Sequence, residues 1–172
     1  EITEIKIGFD GIVIANSKAA PEIDLTREQV WLALAKEVPV GGALAPNPYV
    51  NWSDIDAALP NTKIEVLGPP PTSGTRDAFV ELVMDVGCEA FPEVEALEGD
   101  AKKAVCQTIR EDGAYIDAGE NDSLIVQKLE ANKNQIILVC AKDGTITADR
   151  KLMPDDAAIK AAITDKLAEN RD

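Results

Sequence analysis

One strand that runs straight into a helix through a loop of prolines, glycine and hydroxyl residues constrains this chain more than any other feature. Lys63-Ile64-Glu65-Val66-Leu67 alternates and is β-branched, as a strand should be. It leads into Gly68-Pro69-Pro70-Pro71-Thr72-Ser73-Gly74-Thr75, and Asp77–Met84 then reads as a helix with Phe79, Val80, Val83 and Met84 on its inner face. A strand feeding a helix in this way is half of a crossover unit, so the fold should be α/β, with helices layered on a sheet.

The flanking segments agree with that layering. Ile12-Val13-Ile14-Ala15 is an apolar run of buried-strand type, preceded by the alternating Ile5–Phe9. A helix begins after Asp24, with Thr26 as its cap and Glu28 close behind; Val30, Trp31, Leu34 and Ala35 recur at helical spacing, and the helix should end near Val38-Pro39. Residues 39–61, rich in proline and carrying Gly41, Gly42, Asn47 and Asn51, predict a surface loop anchored by Trp52, before a short turn at Ser53-Asp54-Ile55-Asp56. Further helices are expected over Asp100–Arg110 and Asp122–Ala131, with a short extended piece at Gly113–Ile116 between them. The last forty residues change character. Gln135–Cys140 is a strand, Asp143-Gly144 a hairpin turn, Thr145–Thr147 a second strand and Pro154–Glu169 an Ala-rich helix. Two parts follow: a lobe over 1–132, and a β-hairpin-plus-helix tail over 133–172 packed on the same domain.

Composition excludes several functions. The 172 residues carry a formal charge of −14 and no histidine. Phosphate backbones attract Lys/Arg patches and none is visible, so nucleic acid is not an expected partner. Without histidine the chain lacks a Ser-His-Asp or Cys-His device, and it has no paired C-x-x-C metal spacing; no cofactor is expected. No run reaches the ~18–20 apolar residues that cross a bilayer, and Glu1-Ile2-Thr3-Glu4 lacks the basic and apolar parts of a signal peptide. Three cysteines, Cys88, Cys106 and Cys140, allow one disulfide. A Cys88–Cys106 bridge would brace two helices, and Cys140 reads as a buried small hydrophobe. The acidic residues Glu111, Asp112, Asp117, Glu120 and Asp122 fit no calcium loop and read as a solvated rim.

Chemistry concentrates in the loop. A helix start at Thr72-Ser73-Gly74-Thr75-Arg76 offers an anion backbone N–H groups, the positive end of a helix dipole, hydroxyls and a guanidinium fork. Gly74 lets the backbone approach closely, Ser73 and Thr75 donate hydroxyls, Arg76 pairs with two oxygens, and Asp77 orients Arg76 or accepts a ligand proton. The plainer reading makes Ser73 a helix N-cap and Arg76 a solvated first-turn residue. An enzyme using Ser73 as nucleophile with Asp77 or Asp112 as base is disfavoured, because no histidine or lysine stands near to activate the serine and no G-K-[ST] follows the loop.

Gly68–Phe79 resembles the phosphate-binding loop of substrate-binding proteins of the phosphate ABC transporter, the PstS-like family. Further likenesses follow in order: Gly8–Val13 is similar to the strand that crosses from the first lobe into the second, and Asn51-Trp52-Ser53-Asp54-Ile55 to a W-x-D-I segment. Ile109–Gly113 and Gly119–Asp122 continue the similarity, which spans roughly residues 3–132. The resemblance implies the second lobe of a type II periplasmic binding protein, a three-layer α/β sandwich, non-catalytic and periplasmic, with inorganic phosphate and a membrane permease as partners. Ser73, Gly74, Thr75 and Arg76 carry over as phosphate ligands, with Thr72 and Asn121 beside them. Some members place an arginine four residues before the serine, where Pro69 stands here, so Arg76 would take that role. The first lobe and the family's return strand are expected to be missing, as in a truncated chain, a natural lone lobe or a fusion, with Ile136–Cys140 pairing where the return strand would lie. The competing expectation is a structural or interaction fragment that keeps the fold without binding.

Overall fold

A computed structural model describes residues 11–17, 19–21, 23–132 and 136–140. The chain divides into two compact units, Glu1–Cys140 and Ala141–Asp172. The second unit lies outside the described residues, as do the strand expected over 5–9, the Asp143-Gly144 turn, the strand after it and the Pro154–Glu169 helix.

Four strands form the main sheet in the order β1 (Ile12–Asn16), β6 (Ile136–Cys140), β4 (Val66–Gly68) and β5 (Tyr115–Asp117). β6 pairs antiparallel with β1, Ile14 opposite Leu138, and parallel with β4, Val66 opposite Ile136. β4 and β5 run parallel, with Val66 opposite Tyr115 and Gly68 opposite Asp117. Ile136–Cys140 is therefore an interior strand, holding β1 and β4 together through its two hydrogen-bonding edges. The parallel pair reflects the crossover implied by the strand–loop–helix pattern.

Helix α1 (Arg27–Leu34) starts where Thr26 caps it, but the reciprocal partner in the capping box is Gln29: Gln29 N donates to Thr26 Oγ1 at 3.2 Å and Thr26 N to Gln29 Oε1 at 3.0 Å. It ends four residues before Val38, because its last carbonyls are claimed from outside the helix. Asn47 Nδ2 donates to the Leu32 and Ala35 carbonyls, both at 2.7 Å, Arg110 N to Leu34 O at 2.9 Å, and Arg110 Nη1 to Ala33 O at 3.3 Å. The stretch expected as a loop holds a hairpin, β2 (Glu37–Val40) and β3 (Ala43–Pro46), turning through Gly41 and Gly42, both with positive φ, and at the expected short turn stands a one-turn helix α2 (Trp52–Ile55).

After the loop, α3 (Gly74–Phe79) continues without a break through a π-helical segment (Val80–Met84) into α4 (Asp85–Cys88). α5 (Pro92–Glu95), α6 (Gly99–Gln107) and α7 (Asp122–Ala131) complete the described helices. Trp31, Trp52, Phe79, Leu34, Ile64 and Met84 are fully buried, so both tryptophans are core anchors. Trp31 packs tilted against Phe91, ring centroids 5.0 Å apart. Cys88 and Cys106 are joined as a disulfide, Cα atoms 5.5 Å apart, tying α4 to α6. A loop of that size removes about 3 kcal/mol of unfolded-state entropy.

Candidate functional site: a hydroxyl-bearing loop at the carboxyl edge of the sheet

Because β4 and β5 are parallel, the loops that follow them leave the sheet at the same edge. Ala118 N donates to Gly68 O at 2.9 Å across that edge. The β4 loop enters α3 and the β5 loop enters α7, so two helix N-termini, with Ser73–Arg76 on one and Asn121 at the other, lie beyond the carboxyl ends of neighbouring strands. Ligands of open α/β sheets collect at that edge.

Pro70 O accepts from Ser73 N at 3.0 Å, closing a tight turn just before the helix. Ser73 is 4% exposed, and its Oγ accepts from Thr75 N at 3.2 Å. Ser73 O accepts from Asp77 N at 3.2 Å, the first bond of the helix. Ser73 is thus an N-cap, as the plainer reading held, and capping leaves its hydroxyl hydrogen for another acceptor. Among the described residues the backbone amides of Gly74 and Arg76 have no protein acceptor. Thr72 and Gly74 are exposed; Thr75 and Arg76 are half-buried. Asn121 is exposed, and its carbonyl accepts from Ile125 N at 3.0 Å, opening α7.

Arg76 is held by two contacts that the sequence did not announce. Its guanidinium lies 4.2 Å from the centroid of the Tyr115 ring, and its Nη1 donates to Pro69 O at 3.4 Å. The Tyr115 hydroxyl donates to the same carbonyl at 2.8 Å. Burial pushes the Tyr115 phenol above its ordinary range against the opposing pull of Arg76, so it stays a neutral donor. Pro69, four residues before the serine, is thus tied to Arg76 through its carbonyl. Tyr115 lay within the predicted extended piece at 113–116, but nothing in its neighbours in sequence says which residue its ring would cover.

Beside the loop, a groove of about 820 Å³ opens between the α3–α4 helix and α6, with Arg76, Lys102 and Lys103 among acidic Asp77, Glu81 and Glu89. Lys102 Nζ lies 3.7 Å from Glu89. Pro71 and Arg76 of the loop line it, whereas Ser73, Gly74 and Thr75 do not. Asp85, Cys88 and Cys106 bring their ligand atoms within 4.8 Å of one another, but both sulfurs are spent in the disulfide and no thiolate is offered to a metal.

In the acidic rim, Asp112 is a structural partner. Arg110 Nε donates to its two oxygens at 2.8 and 2.9 Å and Nη2 makes a further short contact, while Nη1 reaches Tyr49 O at 2.8 Å. Asp117 Oδ1 accepts from Gly119 N at 2.9 Å and shapes the turn before Asn121.

An α/β lobe with a loop of this composition at the carboxyl end of a parallel strand has the build of a periplasmic binding protein. The chain belongs to that class: the family described as the PBP superfamily domain matches residues 1–171. It is 35% identical to the Phosphate-binding protein PstS of Staphylococcus saprophyticus over 85 residues, 49% of this chain and 23% of that protein. It is 34% identical to the Phosphate-binding protein PstS of Staphylococcus epidermidis over 83 residues, 48% of this chain and 22% of that protein. The crystal structure of PstS from Borrelia burgdorferi shares the fold at a TM-score of 0.50 and 14% identity, over 77% of this chain and 41% of that chain. The matched stretches thus span less than half the length of these relatives.

Proposed function

We propose that this chain is an oxyanion-binding lobe of the substrate-binding protein of an ABC transporter, with inorganic phosphate as ligand, and that it makes and breaks no bond. The observation that carries this reading is the loop itself: a capped helix start at Ser73, amides at Gly74 and Arg76 that no described residue accepts from, and an Arg76 guanidinium held by Tyr115 and the Pro69 carbonyl. Such donors match a tetrahedral oxyanion, because fixed dipoles and one cation hold negative charge locally even in a chain of net charge −14. Relatives named as phosphate-binding proteins support phosphate over other oxyanions.

Ser73, Gly74, Thr75 and Arg76 are the ligands in this reading, with Thr72 and Asn121 at the rim. A second lobe closes over the anion, supplying further donors and the acidic acceptor that tells a protonated phosphate from sulfate, and a membrane permease receives the cargo. The site of action is outside the cytoplasmic membrane. The Cys88–Cys106 disulfide suits an oxidising compartment, and among the described residues no helix is long and apolar enough to cross a membrane.

Thermal unfolding of the chain, titrated with phosphate and with sulfate at constant ionic strength, tests the reading. A saturable rise in midpoint with phosphate that Arg76→Ala removes is the expected result. A midpoint that neither anion moves beyond the salt control would leave a folded lobe without independent binding, the structural reading instead.

A further inference from the structure

Tyr115 touches the loop at three points, and each has a separate cause. Its ring occupies the space a side chain at position 68 would need: a Cβ added to Gly68 would lie 2.6 Å from Tyr115 Cζ. Its hydroxyl donates to Pro69 O, the acceptor that Arg76 Nη1 also uses. Its face carries the Arg76 guanidinium. The ring is itself fixed by the sheet, since Tyr115 sits opposite Val66 in the β4–β5 register and Val66 N donates to Ala114 O at 2.8 Å.

We propose that Tyr115 is a positioning residue for the anion loop, a platform that sets Arg76 in place before a ligand arrives. This inference rests on the phosphate reading above. Stacking engages the face of a guanidinium, and the bond to Pro69 engages one of its five N–H groups, so the other in-plane donors stay available for an oxyanion. A free arginine must lose its rotamer freedom when it binds; one already lying on a ring has lost much of it beforehand. Gly68 belongs to the same device, because any side chain there would displace the ring and with it the arginine. The shared Pro69 carbonyl locks loop and platform together, two donors meeting its two lone pairs.

The test uses the full chain labelled with ¹⁵N and follows the Arg76 Nε–H resonance, identified by its loss in Arg76→Lys. The wild-type signal should show a ring-current shift that survives in Tyr115→Phe, which keeps the platform, and disappears in Tyr115→Leu. Phosphate affinity, read by calorimetry, should fall on the order of fivefold in Tyr115→Leu. The same replacement in an Arg76→Ala background should change affinity little, since its route of action is gone. An Arg76 signal indifferent to the ring overturns the proposal whatever the affinity. Equal losses with and without Arg76 overturn it too, reducing Tyr115 to packing. A wild-type chain whose Arg76 signal senses the ring but which binds no phosphate overturns the phosphate reading and removes Tyr115's role toward an anion. If Tyr115→Leu does not fold, Gly68→Ala serves in its place: it should move the Arg76 signal and weaken binding, and an unmoved signal overturns the proposal.

Discussion

At the scale of single residues, Arg110 shows how one side chain joins parts of the chain far apart in sequence. It is 9% exposed and reaches the carbonyls of Ala33 and Tyr49 while Asp112 accepts from its guanidinium. Arg110→Met should cost about 2 kcal/mol, mainly from carbonyls left without a donor, and denaturant unfolding would read it. The pairing also sets a pH dependence. The Arg110 hydrogen bonds hold the Asp112 carboxyl below its ordinary range. A carboxyl whose folded value is depressed stabilises above its unfolded value, near 3.9, and loses that stabilisation as pH falls through the folded one. Wild-type stability should therefore fall more steeply in acid than that of Asp112→Asn, with a modest difference because Asp112 is half exposed. Sequence spacing placed Asp112 in a solvated rim. The partner two residues away was in plain view, but the Ala33 and Tyr49 carbonyls that fix Arg110 were not.

At the scale of elements, the long helix after the loop meets α1 at Gly87. A Cβ there would press on the Arg27 carbonyl and lie 3.0 Å from Trp31 Cβ. In an open helix Gly→Ala stabilises. Here Gly87→Ala should destabilise by about 2 kcal/mol, because backbone cannot give way as a flexible side chain can. A thermal midpoint that rises in that variant would show that the two helices have room to part. The helix itself was legible: the apolar positions Phe79, Val80, Val83 and Met84 all turn inward, two of them fully buried. Its start after the Ser73 cap was legible too, but its π-helical middle was not, since a widened turn satisfies tertiary packing and leaves no mark on local periodicity. The end of α1 was misplaced for a related reason, the capping donors Asn47 and Arg110 being distant in sequence.

At the scale of the whole molecule, the sheet depends on a strand that arrives late in the chain. β6 lies between β1 and β4, and Ile136 is 3% exposed in the core. A chain ended after Asn132 would leave β1 without its partner and β4 with an open edge under the Thr72–Arg76 loop. That shortened chain should lose its cooperative thermal transition by circular dichroism, whereas one ended after Cys140 should keep it. Retention of the transition without β6 would show that β4, β5 and the helices suffice.

What the sequence by itself determined is what neighbouring residues decide among themselves. The strand–loop–helix unit, the cap at Ser73, the amides and hydroxyls gathered at Thr72–Arg76 and the α/β class all follow from hydrogen bonds and apolar spacing within a few positions. What only the tertiary structure decided is what the sheet brings together. β4–β5 register puts the Tyr115 ring over Gly68 and beneath Arg76, the path of the chain lays Arg110 on the end of α1, and β6 fills the gap between β1 and β4. A one-residue slip in register would turn Tyr115 to the other face of the sheet, and no short-range pattern encodes which register packs best.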